Sequence, residues 1–235
     1  MKKYLERGYA VDYDRIVKAK KIELVLLDYF ESKEKRLCGR NILDVGCGSG
    51  HIAAYFSECN SVLALDVVDQ VAPDIREKIN FIKIKNDLAS FSGGEFDIVI
   101  LNHVLAHINQ KLVFLNEINR VLKKKGVCYL ANPNGFFPVE PYYKIPLLHY
   151  LPQKLFLRLA KYFGKNQEDV YLLSHLAVKK IAAMANFTVS DYTINVINQH
   201  EKYSSEYKIP FGIKLPEIAS IISPTNIYIL TKSGL

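Results

Sequence analysis

The sequence predicts a doubly wound α/β protein built on a parallel sheet. Three observations predict it. Between residues 41 and 132, short apolar runs alternate with segments of helical period. The first run, NILDV at 41–45, feeds directly into a glycine-rich turn. The fourth, FDIVIL at 96–101, is almost wholly apolar after its acid, the pattern of a strand covered on both faces.

The elements follow in order. Residues 12–31 place Ile16, Val17, Ile22, Val25, Leu26 and Tyr29 on one stripe, which predicts a helix with a single buried face. The strand 41–45 is followed by a helix from His51 to Ser57, and SVLALD at 61–66 is a second strand that stops on an acid. A third runs from Phe81 to Lys85, and the fourth over 96–101. Leu112, Leu115, Ile118, Val121 and Leu122 predict a helix over 110–122, with Lys123, Lys124 and Lys125 on its negative end and Gly126 as its left-handed cap. GVCYLA at 126–131 is a fifth strand, ended by Asn132-Pro133-Asn134-Gly135. Residues 136–170 carry four prolines (138, 141, 146, 152) and dense aromatic groups, with a short basic amphipathic helix at Leu155–Phe163. A helix over 174–186, a strand from Phe187 to Val196 and a strand from Asn226 to Lys232 complete the chain. The stretch 197–225 is too long for a hairpin turn and predicts added structure over the sheet. Residues 1–235 read as one domain, with 136–170 and 197–225 as insertions.

Composition agrees with a globular chain: of 235 residues, 49% are hydrophobic and 23% charged. The net charge of +7 suits nucleic acid, an anionic membrane face or an acidic metabolite, but the lysines are scattered rather than clustered. Cys38, Cys47, Cys59 and Cys128 form no C-x-x-C pair, which argues against zinc and for buried free thiols in a reducing cytoplasm. The first residues lack a signal-peptide core, and no apolar run reaches the ~18–20 residues of a membrane span. An intracellular, soluble protein is the expectation.

The chemistry concentrates in Asp44-Val45-Gly46-Cys47-Gly48-Ser49-Gly50, at a strand-to-helix turn. Glycines there let the chain turn sharply and let a ligand approach the backbone. A dinucleotide fingerprint needs a third glycine where this chain has His51. Asp44, directly before the turn, opposes a pyrophosphate but suits a ligand carrying an ammonium and a sulfonium. Asp66 ends the second strand about 20 residues after the first glycine, the spacing that brings a carboxylate to ribose hydroxyls.

In order, ILDVGCGSG, ALDVV, NDLASF, FDIVILNHVLAHI and LNEINRVLKKKGVCYLANPNG resemble the class I methyltransferases that use S-adenosyl-L-methionine, especially the broad group acting on metabolites and glycans. The resemblance covers residues 41–135, and more loosely 174–187, where Asn186 stands in place of the family's usual glycine. It implies a Rossmann-like seven-stranded sheet of order 3-2-1-4-5-7-6 with the last strand antiparallel. It further implies that Asp44, Gly46, Gly48 and the backbone at Cys47 line the methionyl end. Asp66 would hold the ribose and Val67 lie against the adenine. Asp87 would accept from the adenine amino group, while Leu88 offers its backbone N–H and covers the ring. Asn102 and His103 would stand beside the sulfonium.

Each residue also has a structural reading. Asp44 suits a helix cap, Asp66 a solvated strand end and Asp87 a turn. His103 and His107 stand four apart with no third ligand at metal spacing, so His107 reads as structural and His103 as the acid–base candidate. Leu101-Asn102-His103-Val104 lacks the Asn/Asp-Pro-Pro-aromatic stretch of nucleic-acid amino methylases, and no Pro-Cys pair is present. The insertions would emerge at the ligand-binding edge of the sheet as a lid over a small-molecule, glycan or lipid-like acceptor, with O-methylation as the expected reaction. A tRNA or other RNA methyltransferase, and a non-catalytic cofactor-binding partner protein, are the alternatives. The oligomeric state is not legible.

Overall fold

The structure, a computed structural model, describes residues 2–84, 88–139, 145–147, 150–162, 172–204 and 214–234. Seven strands form one sheet: β1 (Asn41–Val45), β2 (Ser61–Asp66), β3 (Asn80–Lys83), β4 (Phe96–Asn102), β5 (Leu122–Pro133), β6 (Phe187–Asp191) and β7 (Thr225–Lys232). Their order is β3-β2-β1-β4-β5-β7-β6, as the resemblance implies. β1 to β5 are mutually parallel where they pair, and β7 runs antiparallel to both β5 and β6.

Helices cover both faces. On one lie α1 (Lys2–Tyr29), α2 (His51–Ser57) and α6 (Thr193–Asn198); on the other, α3 (Lys111–Val121) and α5 (His175–Met184). The short α4 (Gln153–Tyr162) falls within the first insertion. Alternate residues of one strand serve opposite cores: Ile98 and Ile100 pack under α1 and α2, Val99 and Leu101 under α3 and α5. That double burial is why FDIVIL carries no polar alternation. Glu23 ties α1 to the loop after it. Its carboxylate accepts from the Leu37 N–H (2.9 Å) and the Tyr55 hydroxyl (2.5 Å), with Arg36 alongside.

Several expectations need correction. α1 begins at Lys2 rather than near residue 12. Lys123, Lys124 and Lys125 do not end a helix; β5 already starts at Leu122, paired with Phe96, and Lys123 bonds Asp97 at 2.8 Å. Nor is Gly126 left-handed. A Cβ there would lie 2.9 Å from the Phe96 carbonyl oxygen, so close strand approach explains the glycine. The run 187–196 stays extended only to Asp191, whose carboxylate accepts from the Thr193 N–H (3.0 Å) and turns the chain into α6. Cys38 and Cys59 are joined in a disulfide, leaving Cys47 and Cys128 as buried free thiols. Asn186, at the family's glycine position, is left-handed (φ 58°), a conformation asparagine tolerates better than most side chains.

Among the described residues, no helix is long and apolar enough to cross a membrane. Parts of both insertions, and residues 85–87 with Asp87, lie outside the described residues.

Candidate functional site

β1, β2 and β4 all end on the same edge of the sheet, and the strand-to-helix turn rises from that edge. Gly46, Gly48 and Gly50 take φ of 71°, 56° and 84°, values that favour glycine. The turn is pinned by Gly46 N–H and Cys47 N–H donating to the Leu65 carbonyl (2.7 and 3.0 Å) and by Gly50 N–H donating to Cys47 (3.0 Å). Gly46 has a second constraint: a Cβ would sit 2.5 Å from Cγ2 of Val104, in the chain just past β4. The glycine therefore lets two loops of the site close on each other.

Asp44 lies beneath this turn, 2% exposed. One side of its carboxylate faces the Ala53 N–H in the first turn of α2, and Oδ2 has no hydrogen-bond partner. Burial foremost, and then the charge of Asp66, push its pKa up to about 7, against the pull of Arg15. One oxygen thus supports the helix start while the other stays open. Asp66 is 9% exposed, not a solvated strand end. Its Oδ2 accepts from Gly48 N–H (2.8 Å) and its Oδ1 from Val68 N–H (3.1 Å), which orients the carboxylate and leaves each oxygen a lone pair for a further donor. Beside it Val67 is 43% exposed, an apolar surface next to the Asp66 carboxylate. The Cys47 thiol is buried and pushed far up by that burial and by Asp44 and Asp66, so it offers no nucleophile.

Leu88 departs from the covering role expected of it. Its side chain is 2% exposed within the core under α3, and Arg120 Nη2 donates to its carbonyl at 3.0 Å. Asn102 ends β4, half-buried. His103 follows in a left-handed conformation (φ 64°), its N–H donating to the Ala131 carbonyl at 2.9 Å. Burial, then the charges of Lys18, Lys21 and Arg15, push the imidazole down to about 4, so it is neutral at ordinary pH. His107 sits exposed on the 3-10 turn Leu105–His107.

Sequence reading missed the α1 cations and Val104. The cations had a signal: the stripe of Ile22, Val25 and Leu26 continues backward into Lys18 and Arg15. Val104 had none, because its role is a contact across two loops.

These residues fit S-adenosylmethionine. A buried carboxylate with an open oxygen suits a cationic ligand, a Cβ at Gly48 would meet only Gln70 at 3.9 Å so the backbone there stays approachable, and Asp66 is oriented by two amides with acceptor capacity to spare. Residues 43–130 match the family described as methyltransferase domain. The ubiquinone biosynthesis O-methyltransferase of Pelagibacter ubique is 27% identical over 192 residues, covering 75% of this chain and 78% of that protein. The demethylmenaquinone methyltransferase of Lactobacillus johnsonii is 28% identical over 167 residues, covering 66% and 67% respectively. In fold, the chain is similar to the Burkholderia thailandensis 1,6-didemethyltoxoflavin-N1-methyltransferase, solved with its acceptor and S-adenosylhomocysteine. The TM-score is 0.57 at 15% identity, covering 97% of this chain and 84% of that one. The sheet order, the glycine turn and these likenesses support an S-adenosylmethionine-dependent methyltransferase with the class I fold.

Proposed function

We propose that the chain methylates an oxygen of a small-molecule, glycan or lipid-like acceptor, with Asp44, Gly46, Cys47, Gly48, Asp66, Val67, Asp87, Leu88 and Asn102 holding the cofactor and His103 serving the acceptor. The observation that carries this reading is the neutral imidazole of His103, fixed by a backbone bond just past β4, where the resemblance puts the sulfonium. The cofactor supplies a methyl carbon already activated toward displacement. The protein must hold the nucleophile in line and keep water out. A hydroxyl that receives a methyl group becomes strongly acidic as the bond forms, so even a weak base that is unprotonated at working pH can take its proton.

The lid reading of 136–170 and 197–225 has support at its roots. The Gly135 N–H donates to the Leu173 carbonyl at 2.9 Å, the Tyr150 hydroxyl donates to the Phe136 carbonyl at 2.7 Å, and the Asn134 amide donates to the carbonyls of Ile221 and Ser223. Both insertions are therefore tied to the end of β5, on the edge where the cofactor residues gather. The name of the Pelagibacter relative, a ubiquinone biosynthesis O-methyltransferase, supports oxygen as the acceptor atom.

Incubation with methyl-labelled S-adenosylmethionine and pooled metabolite, glycan, lipid and tRNA fractions tests the reading. Label should enter a small-molecule, glycan or lipid fraction, in a base-stable ether or a base-labile ester. Label confined to tRNA, with activity falling steeply as salt is added, would replace it with the RNA reading that the +7 charge favours.

A further inference from the structure

The rim around the end of β5 carries more apolar surface than a solvated edge needs. In the second insertion, Ile218 and Ile222 of the 3-10 helix Glu217–Ile222 are 71% and 63% exposed. In the first, Phe136, Leu147, Tyr150 and Leu155 are exposed too. Hydrogen bonds draw the two insertions together there. The Asn134 amide donates to the Ile221 carbonyl (2.7 Å), its own oxygen accepts from the Phe136 N–H (3.0 Å), and the Tyr150 hydroxyl donates to the Phe136 carbonyl (2.7 Å). A single exposed leucine is ordinary; a group of large apolar side chains on one edge marks an interaction surface.

α4 gives that surface its character. Leu155, Leu159 and Tyr162 stand at i, i+4 and i+7 and form one stripe. Leu155 is 42% and Tyr162 83% exposed, so the stripe does not face the core. Arg158 and Lys161, both exposed, run along the neighbouring side of the helix. Between Glu140 and Glu168 the sequence holds five cations (Lys144, Lys154, Arg158, Lys161 and Lys165) and no acid.

This pairing of charge with apolar surface selects the occupant. A second copy in a two-fold dimer would meet the patch with the same patch, setting cations against cations. Nucleic acid would satisfy the cations but leave leucine and isoleucine in water. An anionic bilayer answers both, with phosphates for the cations and acyl chains for the apolar stripe.

We propose that this rim docks on the surface of an anionic lipid bilayer. Leu155 and Tyr162 of α4 enter the boundary between headgroups and acyl chains, Arg158 and Lys161 lie on lipid phosphates, and Ile218 and Ile222 add a second apolar foot. The attachment is peripheral. It does not rest on the acceptor reading, but it turns the edge that gathers the cofactor residues toward the bilayer, where a lipid-like acceptor is dissolved.

Co-sedimentation of the full chain with vesicles tests the proposal. Binding to vesicles of phosphatidylcholine and phosphatidylglycerol in equal parts should exceed binding to phosphatidylcholine alone by roughly tenfold or more. R158Q/K161Q should lose about tenfold of that binding, and L155S/I222S should lose a comparable share, while both variants still bind S-adenosylhomocysteine. The control K124Q/K125Q removes equal charge from two exposed lysines at the opposite edge, where β5 begins, and should bind vesicles as the wild type does. The chain has no tryptophan, so Tyr162→Trp supplies one reporter, whose emission should shift to the blue on anionic vesicles and be quenched by brominated acyl chains. No preference for anionic vesicles, binding that survives both rim variants, or an equal loss in K124Q/K125Q overturns the proposal. So does a dimer in sedimentation velocity that L155S/I222S disperses while vesicles go unbound, since the rim would then belong to a second copy. Failure of the wild type to bind S-adenosylhomocysteine concerns the cofactor residues and leaves the vesicle result to be read on its own.

Discussion

Asp44, one residue before the end of β1, and Asp66, at the end of the neighbouring parallel β2, hold carboxylates that live differently. Asp66 receives two backbone N–H groups, while one oxygen of Asp44 receives nothing. The buried, underserved acid is the one whose pKa rises to about 7, with the charge of the other contributing. A cationic ligand entering between them relieves both costs.

Cofactor binding should therefore strengthen from pH 6 to pH 8 and release a proton. Calorimetry in buffers of different ionisation enthalpy reads that proton directly. The sign for stability is opposite. The folded, ligand-free chain keeps a proton on Asp44 that the unfolded chain, with its carboxyl near 3.8, has lost. Stability of the free protein falls as pH rises from about 4 to about 7. In D44N that slope should flatten, and S-adenosylmethionine affinity should drop by about 1.5–3 kcal/mol, the range for a hydrogen bond to a charged group.

Gly46→Ala should destabilise the protein by roughly 1–3 kcal/mol, through overpacking against Val104 and a left-handed φ. Urea unfolding of G46A, V104A and the double variant isolates the contact: V104A should recover the steric part of the loss and leave the backbone part.

Asp66→Ala removes more than a ribose contact. It strands the N–H groups of Gly48 and Val68, so thermal unfolding without ligand should already show a loss of about 1–2 kcal/mol. S-adenosylhomocysteine affinity should fall by roughly 2–3 kcal/mol in addition. A normal affinity in a normally stable variant would remove Asp66 from the site.

His103→Gln should lower turnover by about 10²–10⁴-fold while leaving S-adenosylhomocysteine binding intact. In the wild type, NMR should find this imidazole neutral down to about pH 4. Because the unfolded chain protonates it near 6.5, stability falls as pH drops from there toward 4.

Reducing the Cys38–Cys59 disulfide, whose partners lie 21 residues apart, should cost about 3 kcal/mol by the chain-entropy estimate. Denaturant midpoints with and without reductant measure it.

Much of this was legible in the sequence. The apolar runs named the strands because both faces are buried, and Asp44 and Asp66 stood out because acids at the ends of such strands are conspicuous. What escaped was set by contacts between distant segments. The Cys38–Cys59 pair depends on where two loops meet, so four free thiols was the natural reading, and the argument for a reducing compartment loses two of its four cysteines. Lys123 to Gly126 resembled a helix end because charge and glycine make the same signal at a cap and at a tight strand crossing. Asp191 ended its strand through a local side-chain turn that hydrophobic pattern does not register.

A crystal structure of the chain with S-adenosylhomocysteine tests the account most directly. The ligand's amino group should donate to Asp44 or to a water held by its open Oδ2, and both ribose hydroxyls should donate to Asp66. A ligand bound with either carboxylate out of hydrogen-bond reach, or seated elsewhere on the sheet, would contradict it.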